Sequence, residues 1–324
     1  MESMPRITKS GLQRSTSETE FVYTKLKTII GSYVLLDLTF ILTEKDPYFA
    51  VGPDHSQQLL LSFQGLRPWL LFGYREIVSL IICLSHISYG YSLIDLARYW
   101  TLTTLFPSRG GLWMHSSTFG SLSQILDRGL SGWWGAFWHQ TFRVPFLAPA
   151  TFLIREGYIE AGTPAAEAMS LLVSFLQSGL LHASGSLSSV ANTKPWQPLQ
   201  FFLLQAVGIV IQRAAGELLR PRLPPLPERL RRGANLVFTV LWLHLTVMLY
   251  FDDVASTGLW VKQAVPVSLF RGFGVRSPKD HWWREDGHNP AWWQTIPAAV
   301  VAVFLASALS YVFISPGKHP GPAL

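Results

Sequence analysis

Charge is what this sequence has least of. Of its 324 residues, 26 are Lys or Arg and 20 are Asp or Glu, 14% together, where a soluble chain carries about 25%. So few charges cannot cover the surface of a soluble protein of this length. That excludes a soluble enzyme, a nucleic-acid binder and a disordered chain. Cysteine is scarcer still. Cys83 stands alone, which excludes an internal disulfide, a secreted disulfide scaffold and a multi-cysteine metal centre. Also missing are a Walker loop, a GxSxG elbow and a GxGxxG that opens a helix. No cleavable leader is evident. Residues 1–26 are polar and mixed in charge, and the apolar block that begins near Lys27 lacks a small-residue cleavage site. The first span is therefore expected to remain as an anchor.

What the chain has instead is hydrophobicity, 49% of it, delivered in long blocks and accompanied by 13% aromatics. A helix crosses about 30 Å of hydrocarbon with roughly 20 residues. By that measure spans are predicted at 27–43, at about 76–99 behind an interfacial piece, at 143–159, 164–188, 198–217, 234–251 and 292–314. Residues 107–142, broken by Pro107 and several glycines, read as a loop with an amphipathic or re-entrant helix near 121–141. Residues 218–232, LLRPRLPPLPERLRR, hold five arginines and four prolines. They read as a rigid connector held on the cytosolic side. The net charge of +6 thus concerns topology rather than nucleic acid. The expected fold is all-α, a polytopic integral membrane protein of roughly seven to nine transmembrane helices. It would comprise a polar tail at 1–26, one transmembrane domain at 27–315 and a short tail at 316–324, inserted in the endoplasmic reticulum.

Polar groups inside such blocks are costly, and they face a cavity or a partner. In 171–186, Ser174, Ser178 and His182 recur every fourth residue, which makes one polar stripe on a helix. Two readings stand: a histidine hydrogen-bonded across a helix interface, or one that lines a substrate cavity, where a neutral imidazole can act as general base. In 130–143, Trp133, Trp134, Phe137 and Trp138 precede His139, Gln140 and Arg143. An interfacial aromatic belt explains the tryptophans, but not the histidine, amide and cation gathered beside them. His86, His115 and His244 stand alone. His281, His288, Asp280, Glu285 and Asp286 share no standard metal-ligand spacing. Asp252-Asp253 is half of an acidic diphosphate-binding pattern without its second half.

Trp134-Gly135-Ala136-Phe137-Trp138-His139-Gln140, followed later by Ser178-Gly179-Leu180-Leu181-His182, resembles the wax-synthase-like family of membrane-bound O-acyltransferases. These carry a WGxxWHQ-type segment and then an SGxxH segment in a span. The Arg271-Gly272-Phe273 turn resembles them too. The likeness is greatest to the fungal branch that acetylates terpenoid and meroterpenoid hydroxyls. Two departures stand out. Members often carry two arginines where this chain has Ala136 and Phe137, and an acidic residue where it has Ala183.

The resemblance implies transfer of an acetyl group from acetyl-CoA, as co-substrate and with no permanent cofactor or metal, to a lipophilic terpenoid alcohol, in contact with membrane lipids and without nucleic acid. His182 would be the general base and His139 its assistant. Arg143, Gln140 and Trp138 would meet the CoA. Ser178, Trp134 and Ser174 would meet the acceptor, with Ser178 orienting the imidazole. Other readings are a long-chain acyl-CoA:alcohol wax-ester synthase, a terpene cyclase or prenyltransferase using Asp37, Asp95 and Asp252, and a transporter or scaffold.

Overall fold

The computed structural model describes residues 6–8, 11–44, 46–55, 65–107, 110–189, 193–219, 221–222, 224, 226–260, 265 and 267–275. Among these residues the chain is helical, with isolated β-bridges and no strands. Five helices are long and apolar enough to cross a bilayer: α1 (Glu18–Thr43), α3 (Pro68–Leu105), α7 (Pro164–Leu187), α8 (Trp196–Leu219) and α9 (Glu228–Ser256). Their outward faces carry large exposed apolar side chains, among them Ile30, Ile77, Leu180, Val240 and Leu245. Polar groups are instead buried inside, such as Asp37, Gln205 and Thr239. That inversion suits a lipid solvent.

Sequence-predicted boundaries shift for local reasons. α1 begins at Glu18, not at 27. Ser17 caps it by accepting from the Glu20 amide, and Glu20 accepts in return from the Thr16 amide and hydroxyl, so the polar turn is helix start rather than tail. α3 runs unbroken for 38 residues, about 57 Å, where an interfacial piece and a separate span were expected. Proline 68 opens it, and nothing inside breaks it. The block at 143–159 is not a span. It holds α6 (Arg143–Arg155), whose 13 residues reach only about 20 Å. Of the basic stretch at 218–232, residues 218–219 end α8 and residues 228–232 begin α9. Arg229, Arg231 and Arg232 lie in the opening turns of α9, where Arg232 pairs with Asp127 at 3.1 Å. The span expected at 292–314, the tail at 316–324 and the histidines 281 and 288 lie outside the described residues.

Four elements then place the site. α7 and α8 are antiparallel neighbours, tied at one end by the Glu167–Arg213 ion pair. α9 packs antiparallel on α8. α6 lies along α7, where the Phe146 carbonyl accepts from the Gln177 side-chain amide at 2.7 Å. The intramembrane carboxylates are used up structurally. Asp37, fully buried, accepts from the Leu269 and Phe270 amides and so holds α10 (Leu269–Gly272), which contains Arg271 and Gly272 of the expected turn. Asp95 holds Lys25. Asp252 accepts from Oη of Tyr48, on the short α2 (Pro47–Val51), at 2.9 Å, and Asp253 from Ser186 Oγ and the Lys194 amide.

Candidate active site

The predicted re-entrant helix near 121–141 is a broken one. α4 (Ser123–Arg128) ends at Gly129, whose φ of +62° suits glycine. A three-residue turn, α5 (Leu130–Gly132), leads into one turn of π-helix, Trp133–Phe137. Its Trp138 amide donates to the Trp133 carbonyl at 2.7 Å. π-Turns hold an extra residue and occur often at functional sites. Trp138 leaves this one in an extended conformation, and His139 and Gln140 follow outside any helix.

Polar side chains fix that turn. Gln140 Nε2 donates to the carbonyls of Trp134 and Trp138. Arg143 Nη1 donates to the Gly135 carbonyl at 2.6 Å and to Gln140 Oε1 at 3.1 Å. Trp134 Nε1 donates to Gln205 Oε1 at 3.3 Å. Gln205, fully buried, also donates to Thr246 Oγ1 and the Phe201 carbonyl. One amide thus joins the turn, α8 and α9, and losing it would strand a buried indole N–H at about 1–3 kcal/mol. His139 sits among the rings of Tyr91, Phe119, Trp138 and Phe142.

All eight predicted site residues line one cavity of about 870 Å³: Trp134, Trp138, His139, Gln140, Arg143, Ser174, Ser178 and His182. Its long wall is one face of α7, from Glu167 through Ser170, Ser174 and Ser178 to His182, about 22 Å of helix. At the Glu167 end the lining includes Arg128 and Arg213. At the His182 end it is mostly apolar, with Phe40, Ile82, Val254 and Trp260. The cyclase candidates Asp37, Asp95 and Asp252 are not on this lining. Among the described residues there is no cluster of three His, Cys, Asp or Glu fit to hold a metal.

The hydroxyl bonded to the His182 ring is that of Tyr250, 3.3 Å from Nδ1, not that of Ser178. The ring is stacked on Phe202 at 4.8 Å and 12°, with Tyr250 edge-on at 5.1 Å and 85°. Ser174 Oγ turns back to the Ser170 carbonyl at 2.7 Å. Arg143 lies about one helical turn beyond Phe146, hence near Ser178 in depth and well away from the Arg128–Arg213 end. Tyr250, Gln205, Arg128, Arg213 and His86 are cavity or support residues that the sequence motifs did not single out. The signal available for Arg213 was an ion near the end of an otherwise apolar span.

Burial pulls the His139 pKa down to about 4, so the ring is neutral at neutral pH. Its Nδ1 is buried without a partner, which leaves Nε2 as the nitrogen toward the cavity. The unfolded chain takes this proton near 6.5 and the native chain only near 4. Native stability is therefore intact above about pH 7.5 and falls as pH drops through 6.5 toward 4. Thermal unfolding in detergent at pH 7.5 and pH 5 should show a smaller acid loss for His139→Gln than for the unsubstituted protein.

These features define a multi-pass, all-α membrane protein with an internal cavity lined by two histidines. Residues 115–204, which carry both motif segments, match the family model described as "Membrane bound O-acyl transferase family". The chain is 27% identical over 191 residues to acetyltransferase eriL of Hericium erinaceus, covering 58% of this chain and 47% of that protein. It is 26% identical over 217 residues to acetyltransferase ple2 of Rhodocybe pseudopiperita, 66% of this chain and 52% of that one. To acetyltransferase ataH of Aspergillus terreus it is 25% identical over 283 residues, 81% and 87% of the two chains. The chain thus spans about half the length of the first two relatives. No solved structure matches it.

Proposed function

We propose that this protein is an O-acetyltransferase that moves an acetyl group from acetyl-CoA to the hydroxyl of a lipophilic, terpenoid-type alcohol. The observation that carries this reading is the single cavity onto which both histidines open. The similarity to three proteins named acetyltransferase supports the acetyl donor. His182 Nε2 takes the proton from the acceptor hydroxyl as that oxygen attacks the thioester carbonyl. His139 donates from Nε2 to the tetrahedral oxyanion. The C–S bond then breaks, and the CoA thiolate leaves with the proton held by His182. The arginine-rich end of α8 and α9 faces the cytosol by the positive-inside rule, the side on which CoA thioesters are found. The acceptor enters the apolar end from the bilayer, which we assign to the endoplasmic reticulum.

The donor phosphates meet Arg128 and Arg213 rather than Arg143. Arg143 already donates to the Gly135 carbonyl and Gln140, whereas the two other arginines line the end beside Glu167. Arg128→Gln with Arg213→Gln should raise KM for acetyl-CoA about tenfold and leave kcat within about twofold, the signature of lost uniform binding. Transfer from acetyl-pantetheine, which lacks the nucleotide, should not change.

The test of the function is transfer of labelled acetyl-CoA by membranes containing the protein, with a panel of hydroxylated terpenoids. Label in a lipophilic ester, absent in His182→Ala and His139→Ala, is expected. Transfer only from a long-chain donor to a fatty alcohol would replace this reading with wax-ester synthesis.

A further inference from the structure

We infer that Tyr250 is a positioning residue for His182, fixing which ring nitrogen meets the acceptor hydroxyl. The inference rests on the acetyl-transfer reading given above, but it concerns a residue on α9, 68 positions from the histidine it serves.

His182 is restrained by two residues. Phe202 covers one ring face. Tyr250 meets the ring edge-on, and its Oη lies 3.3 Å from Nδ1. Tyr250 is itself held, stacked on Phe201 at 5.6 Å and 28°. With Nδ1 engaged, the nitrogen left to the cavity is Nε2. When Nε2 carries the lone pair, Nδ1 carries the ring proton and donates it to Tyr250 Oη. As the acceptor O–H breaks and the Nε2–H bond forms, the ring becomes imidazolium, and the Nδ1–H···Oη bond becomes charge-assisted and stronger. A phenol oxygen here does part of what a carboxylate does behind other catalytic histidines, without placing a second full charge in an apolar wall. The polar groups that line the same cavity include Cys83, His86 and Tyr91 on α3, Ser174 and Ser178 on α7, and His139, Gln140 and Arg143 at the turn. Of these and Tyr250, the described hydrogen bond to the His182 ring comes from Tyr250 alone.

The test is Tyr250→Phe, which keeps the ring and removes the oxygen. We expect kcat for acetyl transfer to fall tenfold or more, with KM for donor and acceptor within twofold and protein yield and melting temperature unchanged. In the His182→Ala background the same substitution should cause no further loss, because Tyr250 acts through that ring. Full kcat in Tyr250→Phe, or an equal additional loss on top of His182→Ala, would overturn the inference. A substrate-free readout separates this from the function itself. In protein labelled with 15N-histidine, the Nδ1 resonance that His182→Ala removes should move in Tyr250→Phe. If it stays in place, Tyr250 does not set the ring. If it moves while the unsubstituted protein transfers no acyl group, the positioning stands and the acetyl-transfer reading falls.

Discussion

His182→Ala is expected to lower acetyl transfer by about 10³-fold, the middle of the range for a positioned general base. The loss should fall on kcat, since the cavity wall on α7 runs for about four helical turns and its other lining residues are untouched. The replacement removes a ring held by stacking and one hydrogen bond, and no ion pair is broken, so the membrane fraction should contain as much protein as before. His139→Ala should cost less, about 10²-fold, as removal of one oxyanion donor does. Rates from labelled acetyl-CoA in matched membrane preparations would check both. If His182→Ala kept near-full activity, the base would have to be sought elsewhere. Loss at Asp37, Asp95 or Asp252 in its place would favour carboxylate chemistry, although each of these carboxylates already holds protein groups in place.

Gly120→Val is expected to have a comparable effect from outside the cavity. A Cβ at position 120 would stand 2.2 Å from the Ala136 carbonyl oxygen, and the Gly120 amide donates to the Phe137 carbonyl at 2.8 Å. The obstruction is backbone on both sides, so no side chain can swing away to make room. The turn bearing His139 has to move, and a displacement of about 1 Å at a reacting group costs on the order of 10² in rate. Gly185→Ala serves as the control, because a Cβ there meets nothing within 4 Å. The measurement is acetyl transfer normalised to membrane-inserted protein. Normal rates in Gly120→Val would mean that the turn tolerates movement and that His139 is not held to a narrow position.

The sequence made the class legible, and half of the site. Long apolar blocks and the scarcity of charge announced membrane helices, and polar residues at helical spacing marked the α7 face. What spacing cannot express is contact between distant segments. Tyr250 is 68 residues from His182, and Gln205 is 71 from Trp134. Each looked like an ordinary residue of an apolar helix until the fold set it beside its partner. Arg143 shows the same limit. Its closeness in sequence to His139 suggested a ligand-binding cation, and only the fold adds the hydrogen bond from its guanidinium to the Gly135 carbonyl. The span boundaries failed where hydropathy was read without caps. The Ser17–Glu20 exchange was visible in the letters but lay in a polar stretch read as tail.

The π-turn at Trp133–Phe137 makes the number of residues there matter as much as their identity. An α-helix advances about 100° per residue. If one of these five residues were deleted, the wide turn could relax into an ordinary α-turn with little loss of hydrogen bonding, and the protein could still fold. Everything after it would leave the turn on a new bearing. His139 would then point at a neighbouring helix rather than into the cavity. Side chains in this stretch can be exchanged one at a time with graded consequences, whereas a change in its length acts as an all-or-none lesion.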